Sequence, residues 1–199
     1  MKKITFLVIM CFLFSIPNLG TCDESTGNVN LFWGVKQLDE DDWELCEKHD
    51  ELGISLDYKK KSWPVSIVIG YLSSSDEQTV RYCYYDNGVG IVTGDYKVET
   101  TELSLGMRKI WDGSPAVRPY IGCGIAQISA EDKVSFLGVS VSDDDTATGF
   151  WIAGGIYFTI SERFNVGFEY RLSQAEVTVW DTKYEAGGTH TGLLFGFHW

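Results

Sequence analysis

Six charged residues stand where charge is costly. Lys36, Asp57, Glu102, Arg108, Glu169 and Arg171 each alternate with bulky apolar neighbours, as in TELSLGMRK and VGFEYRLS. In an extended strand such residues share one face, and an enclosed face must pair its charges or keep them wet. Either an ion-paired plug across a narrow interior or plain interior packing with trapped water fits that pattern. A second chemistry is hydrolysis, for which His190 with Glu185 or Asp181, and His49 with Ser73 to Ser75, are the available base, acid and nucleophile sets. No motif surrounds them, and a lone loop histidine is ordinarily solvated, so the sequence predicts no enzyme. The third is recognition. DEDD at 39–42 and DDD at 143–145 are solvated loop faces or sites for divalent cations, and Trp43, Tyr82, Tyr84, Tyr85, Trp180 and Tyr184 are contact-type aromatics nearby.

The elements that must position these residues are short alternating segments bounded by turn signals. They are NVNLFWGVKQ (28–37), ELGISLDY (51–58), VSIVIGYL (65–72), TELSLGMR (101–108), YIGCGIAQ (120–127), FWIAGGIYF (150–158), NVGFEYRLS (165–173) and GLLFGFHW (192–199). In the last, Leu193, Phe195, Phe197 and Trp199 share one face, opposite Gly192, Leu194, Gly196 and His198. The eight segments are joined by connections that run long, short, long, short, long, short, long. That is the layout of an eight-stranded antiparallel up-and-down barrel with both termini on the short-turn side.

Periodicity leaves open which face is inside. A soluble lipocalin-like barrel lines its cavity with the apolar face, whereas a transmembrane barrel turns that face to lipid. The polar face here is also the small one, with Gly34, Gly53, Gly70, Gly106, Gly122, Gly124, Gly155, Gly167, Gly192 and Gly196. Eight strands enclose little more than their own side chains, so a narrow lumen needs that space. Tyr58, Trp63, Trp111, Tyr120, Phe164 and Trp199 gather on the short-turn side, as an interfacial girdle would. The first strand reads FWG rather than the Gly-x-Trp expected of a lipocalin.

Lys2 and Lys3, an apolar run at 4–16 and a turn-rich break at 17–22 have the layout of a cleavable signal peptide. The expected division is a signal peptide at 1–22 and one barrel domain at 23–199, with LGTC at 19–22 raising lipidation of Cys22 as an alternative. Without the leader the chain keeps 14 basic and 28 acidic residues, a charge of −14, which argues against nucleic acid as a partner. Five cysteines, Cys11 within the leader and Cys22 at its end, then Cys46, Cys83 and Cys123, form no CxxC and have no histidine at ligand spacing, so neither metal nor cofactor is expected.

VRPYIGCGIAQ, then FWIAGGIYFTISERFNVGFEYRLS and the aromatic final strand, resembles the small outer-membrane β-barrel superfamily of OmpA-, OmpX- and OmpW-like barrel domains. The resemblance covers the mature chain and implies location and architecture rather than a reaction. It implies a porin-like, adhesive or structural protein of the cell outer membrane, in contact with lipid and lipopolysaccharide, with the long loops at the cell surface free to meet a host or surface ligand. It also implies that Leu193, Phe195, Phe197 and Trp199 are read by the outer-membrane assembly machinery. A lipid-modifying barrel enzyme and a soluble lipocalin-like binder are the alternatives. Cys46 and Cys83 fall in the first two long loops, on the same oxidising side, and are candidates for a disulfide.

Overall fold

The computed structural model describes residues 25–40, 42–43, 45–85, 89–111, 116–136, 139–160 and 163–199, and of 81–85 and 89–92 the backbone alone. The expected signal peptide and Cys22 lie outside the described residues. The strands are β1 (Ser25–Gln37), β2 (Lys48–Lys60), β3 (Ser66–Tyr85), β4 (Val89–Ile110), β5 (Val117–Phe136), β6 (Val139–Ile160), β7 (Phe164–Gln174), β8 (Glu176–Val179), β9 (Thr182–Glu185) and β10 (Gly188–His198). Eight of them close a barrel in the order β1-β10-β7-β6-β5-β4-β3-β2, every neighbour antiparallel, while β8 and β9 form a separate two-stranded hairpin. The seam sets Leu31 opposite Phe195 and Trp33 opposite Leu193. At its end the Trp199 amide and carbonyl bond the carbonyl and amide of Gly27, each at 3.1 Å. A side chain at Gly27 would collide with the Trp199 ring, so the aromatic lies over that glycine.

Within one belt of the wall the apolar face points out. Leu52 and Leu56 of β2, Leu103, Leu105 and Met107 of β4, Ile121 and Ile125 of β5, and Phe168 and Leu172 of β7 are all exposed. The inward face holds the charged residues, but it is not made only of small and polar groups. Phe32, Val68, Leu72, Tyr120, Trp151, Tyr157 and Leu194 are buried inside, and glycine is what makes room for them. A Cβ on Gly106 would fall 2.6 Å from the Trp151 ring, and one on Gly155 2.4 Å from Tyr120. Tyr120, placed in the interfacial girdle by its sequence position, is therefore an interior residue, because its parity on β5 is that of Arg118 and Gly122.

The second and third long connections are not loops. β3 and β4 have 20 and 22 residues, and β5 and β6 again 20 and 22, so these strands continue past the belt as paired hairpins. Alternation persists there with its polarity reversed. On β5, Gln127, Ser129, Glu131 and Lys133 now point out, while Ala126, Ile128 and Ala130 are buried inside. A polar outer face in water gives these segments loop-like composition, which is why the sequence reads as loop. In the last long connection, Val179 pairs with Thr182 across a two-residue turn in which Trp180 and Asp181 both have positive φ, at 53° and 58°. That geometry is the tight turn whose twist suits a hairpin.

The expected Cys46–Cys83 disulfide is not made. Cys46 is a free, fully buried thiol against Asp76 and the Val98 backbone, and burial pushes it up to about 12. Cys83 lies on β3 seven residues beyond Asp76, which at the usual strand rise is about 23 Å.

Candidate functional site

The interior is two stacked polar layers under an apolar cap. Nearest the short turns, Arg108 of β4 is the centre. Its Nη2 donates to Glu169 Oε2 at 2.8 Å and its Nη1 to the Tyr157 hydroxyl, while Asp57 Oδ2 stands 3.7 Å away. Tyr120 donates to Glu169 at 2.6 Å, Asn28 donates to Asp57 at 2.7 Å, and the guanidinium lies 4.3 Å from the Tyr120 ring centre. Arg118 reaches Asn165 and Asn28, and its Nη1 meets the ring of the half-buried His198.

In the outer layer Arg171 is ion-paired with Glu102 and lies over the Trp151 ring at 4.4 Å. His190 Nδ1 faces both carboxylate oxygens of Glu51 at 2.9 Å, and its Nε2 meets Ser173 Oγ at 2.8 Å. Lys36 donates to Thr100 at 2.9 Å and to the Ala186 carbonyl at 2.8 Å, and Thr100 continues through Ser74 to His49. Each layer sets two basic side chains, Arg108 and Arg118 or Lys36 and Arg171, against two acidic ones, Asp57 and Glu169 or Glu51 and Glu102, which is how buried charge is tolerated.

All six charged residues selected from sequence are buried in this interior, but in separate groups. Asp57, Arg108 and Glu169 meet in one layer; Lys36, Glu102 and Arg171 lie in the other. Glu169 and Arg171 share β7, yet each pairs with β4, at Arg108 and Glu102. The set of six chosen from sequence left out Glu51, His190, Tyr120, Tyr157, Arg118, Asn28 and Asn165. Parity was the signal available, since Glu51 continues the face of Gly53 and Asp57, and His190 that of Gly192 and Leu194.

Above the layers, Leu38, Trp43 and Cys46 of the first long connection meet Ala175, Val177, Val179 and Ala186 of the β8–β9 segment and Val98, Ile128 and Ala130 of the wall. Trp43, expected as a surface contact, is instead the anchor of this cap. It is buried, stacks on Tyr184 at 4.9 Å and donates from its indole to the Glu185 carbonyl at 2.9 Å. The acid runs fasten the cap. Asp42, Asp143 and Asp145 accept the backbone amides of Glu185, Trp180 and Thr178 at 2.6, 2.6 and 2.7 Å. The Thr178 and Thr146 amides hold the Asp145 carboxyl below the usual carboxylate range. Among the described residues no group of three or more His, Cys, Asp or Glu side chains stands together as a metal site would require.

Ser173, His190 and Glu51 have the order of a nucleophile, base and acid, different partners from those considered for His190 in the sequence. A groove of about 520 Å³, lined by Phe150, Ile152, Leu172 and Ser173 among others, opens beside them on the outer wall. The backbone amides around Ser173 are engaged elsewhere. Ser173 is paired on both sides, with Trp151 and Gly188, and the amides of Ala175 and Gly187 donate to Glu185 Oε1 at 2.6 and 3.0 Å.

A closed eight-stranded wall, apolar outside and charged within, defines a transmembrane β-barrel of the outer-membrane type. Residues 6–197 match the outer membrane protein beta-barrel domain, and the chain belongs to that family, with the outer membrane as its location. No curated protein matches. Ail of Yersinia pestis, solved with the heparin analogue sucrose octasulfate, is similar in fold at 14% identity, with a TM-score of 0.56 over 88% of this chain and 99% of that one. OprG of Pseudomonas aeruginosa is 10% identical, with a TM-score of 0.56 over 90% and 98%. Neisserial surface protein A is 15% identical, with a TM-score of 0.52 over 87% and 94%.

Proposed function

We propose that this protein is a non-conducting, non-catalytic surface barrel, in which the belt is a structural anchor and the outer extension is the part that meets ligands. The observation that carries this reading is the seal. Two ion-paired layers fill the lumen, and the apolar cap formed by Trp43, Val177 and Val179 lies across its outer mouth. Passage of even a small solute would require breaking one or the other. The surroundings in this reading are outer-membrane lipid and lipopolysaccharide, and Leu193, Phe195, Phe197 and Trp199 serve as the signal for the assembly machinery.

The ligand class differs from that of Ail. The outer connections at 38–50, 73–101, 127–149 and 174–188 carry 20 of the 28 acidic residues and five of the 16 basic ones, so a polysulfated ligand would meet repulsion here. Planar-bilayer recording of the refolded chain tests the reading. Silence is expected, and defined conductance steps would favour a channel. The Ser173–His190–Glu51 relay supports a second reading, a lipid-modifying barrel; ester hydrolysis by the refolded chain that disappears in Ser173→Ala would establish it in place of the first.

A further inference from the structure

The reversed alternation that builds the cap continues beyond it. Past Asp132 the inward positions of β5 are Val134 and Phe136, and those of β6 are Val141 and Val139, with Val134 opposite Val141 and Phe136 opposite Val139. The β8–β9 hairpin turns at Trp180, whose indole donates to Asp132 Oδ2 at 3.1 Å, and so covers the wall no higher than that residue. Above it Val139 and Val141 are 67% and 53% exposed, Val134 and Phe136 each more than a third, and the exposed Trp180 forms the lower border. Phe136 lies against Gly94, which extends the patch onto β4. This patch is outside the apolar belt, on the inward-facing side of the β5–β6 hairpin, where lipid does not explain it.

Its floor is acidic. Asp132 and Asp143 are directly opposite each other on β5 and β6. Asp143 Oδ2 accepts the Trp180 amide, Asp132 Oδ2 accepts the Trp180 indole, and Asp132 is 93% buried by its 7% exposure, with no hydrogen bond to Oδ1. Like charges facing across a strand pair are unfavourable unless a cation lies between them. The nearest lysines on these strands, Lys97 and Lys133, stand opposite each other at outward positions, where Lys97 is ion-paired with Glu99, and do not supply one. Burial, and to a lesser degree Asp143, raises the Asp132 carboxyl above its usual range against hydrogen bonds from Trp180 and Tyr96, so the two acids already repel each other here.

We propose that this patch docks a basic amphipathic polypeptide segment, with a Lys or Arg side chain set on Asp132 and Asp143 and apolar residues set on Val134, Phe136, Val139 and Val141. The assignment rests on the recognition reading above and names the partner's chemistry. Charge complementarity selects the occupant, because the acid surplus of the outer connections draws cations toward this end of the barrel. An anionic lipid surface is repelled by the same surplus, and a second copy would bring the same acid pair against itself.

The test uses the refolded full chain in zwitterionic nanodiscs and two synthetic peptides of equal composition and charge, one alternating Val and Lys, the other with its lysines and valines in blocks. The alternating peptide is expected to bind about tenfold more tightly than the block peptide. Val139→Ser with Val141→Ser should remove about that tenfold, and Asp132→Asn should weaken binding and flatten its salt dependence. Both peptides binding alike, with the valine variants unchanged, would overturn the proposal in favour of unspecific charge. A concentration-dependent dimer lost in the valine variants would overturn it in favour of a second copy. Native gel mobility before and after heating verifies folding, and Val139→Lys alone, which repels the peptide, serves if the double variant does not fold. Bilayer recording on the same preparation separates the two claims: conductance overturns the recognition reading, whereas silence without peptide discrimination overturns only this assignment.

Discussion

β4 passes through two environments that give opposite meanings to the same periodicity. In the belt, Leu103, Leu105 and Met107 point out, and Glu102, Ser104 and Arg108 are buried within. Farther out, Asp95, Lys97 and Glu99 take the outward positions, Lys97 ion-pairs with Glu99 at 2.8 Å, and Val98 is buried inside. The strand has not changed its pairing; its surroundings have changed from hydrocarbon to water. Lipid requires a wall without open edges and forces polarity inward, while water allows the extension to bury an ordinary apolar core. The belt is thus held by closure and charge pairing, and the extension by packing, and the two should fail in different ways.

The largest effect is expected at the seam. Phe197→Ser with Trp199→Ser removes the ring over Gly27 and the outward aromatic that contacts Phe164 at 5.7 Å, and should leave the chain in the periplasm. Cell fractionation with protease added to intact cells reads this, and surface-exposed, folded protein would contradict it. Next is Arg108→Ala, which leaves Glu169 and Asp57 buried without their cation, at a cost of about 3–5 kcal/mol. Loss of the heat-modifiable gel form measures it; an unchanged urea midpoint would mean that the layer is freely hydrated.

Trp43→Ala belongs to the other region. Truncating a buried tryptophan costs about 3–5 kcal/mol of local packing, but here the loss should be confined to the cap. Proteolysis should then cut near the first long connection while the belt keeps its heat-modifiable form, and a common loss of both would break the distinction. The smallest effect is expected from Asp132→Asn, which keeps an acceptor for the Trp180 indole and relieves repulsion with Asp143. With its folded carboxyl raised by burial, Asp132 binds its proton more tightly folded than unfolded, so the native extension should gain stability as pH falls into that range. The protection factors of the β8–β9 amides, that is exchange corrected for its intrinsic pH dependence, should rise on acidification in the native chain, and this rise should be weaker in the variant.

Much of the belt was legible because its rule is simple. NVGFEYRLS alternates without a break, and its inward set, Asn165, Gly167, Glu169, Arg171 and Ser173, is the one found. What could not be read was which charges meet, because partner choice depends on register between strands distant in sequence. Glu169 and Arg171 are neighbours on one face of β7, yet each is tied to a different residue of β4. Glu51 opened its segment and His190 fell two residues before the last one, so one more step of alternation from Gly53 and from Gly192 would have placed both inside. The hairpin extensions were missed for a different reason: their outward faces are as polar as loops, and only the alternate apolar positions, Ile128 opposite Ala147 for instance, mark them as strands.

The central claim is that polarity reverses along a continuous wall, and spin labels along β6 test it most directly. Single cysteines replace Phe158, Ile152, Thr146 and Asp144, all at outward positions, in a chain whose own cysteines have been exchanged for alanine. Labels at 158 and 152 should be more accessible to oxygen than to a water-soluble nickel complex, as in hydrocarbon, and labels at 146 and 144 should show the opposite. Hydrocarbon-like accessibility at all four positions, or water-like accessibility at 152 and 158, would contradict the reversal.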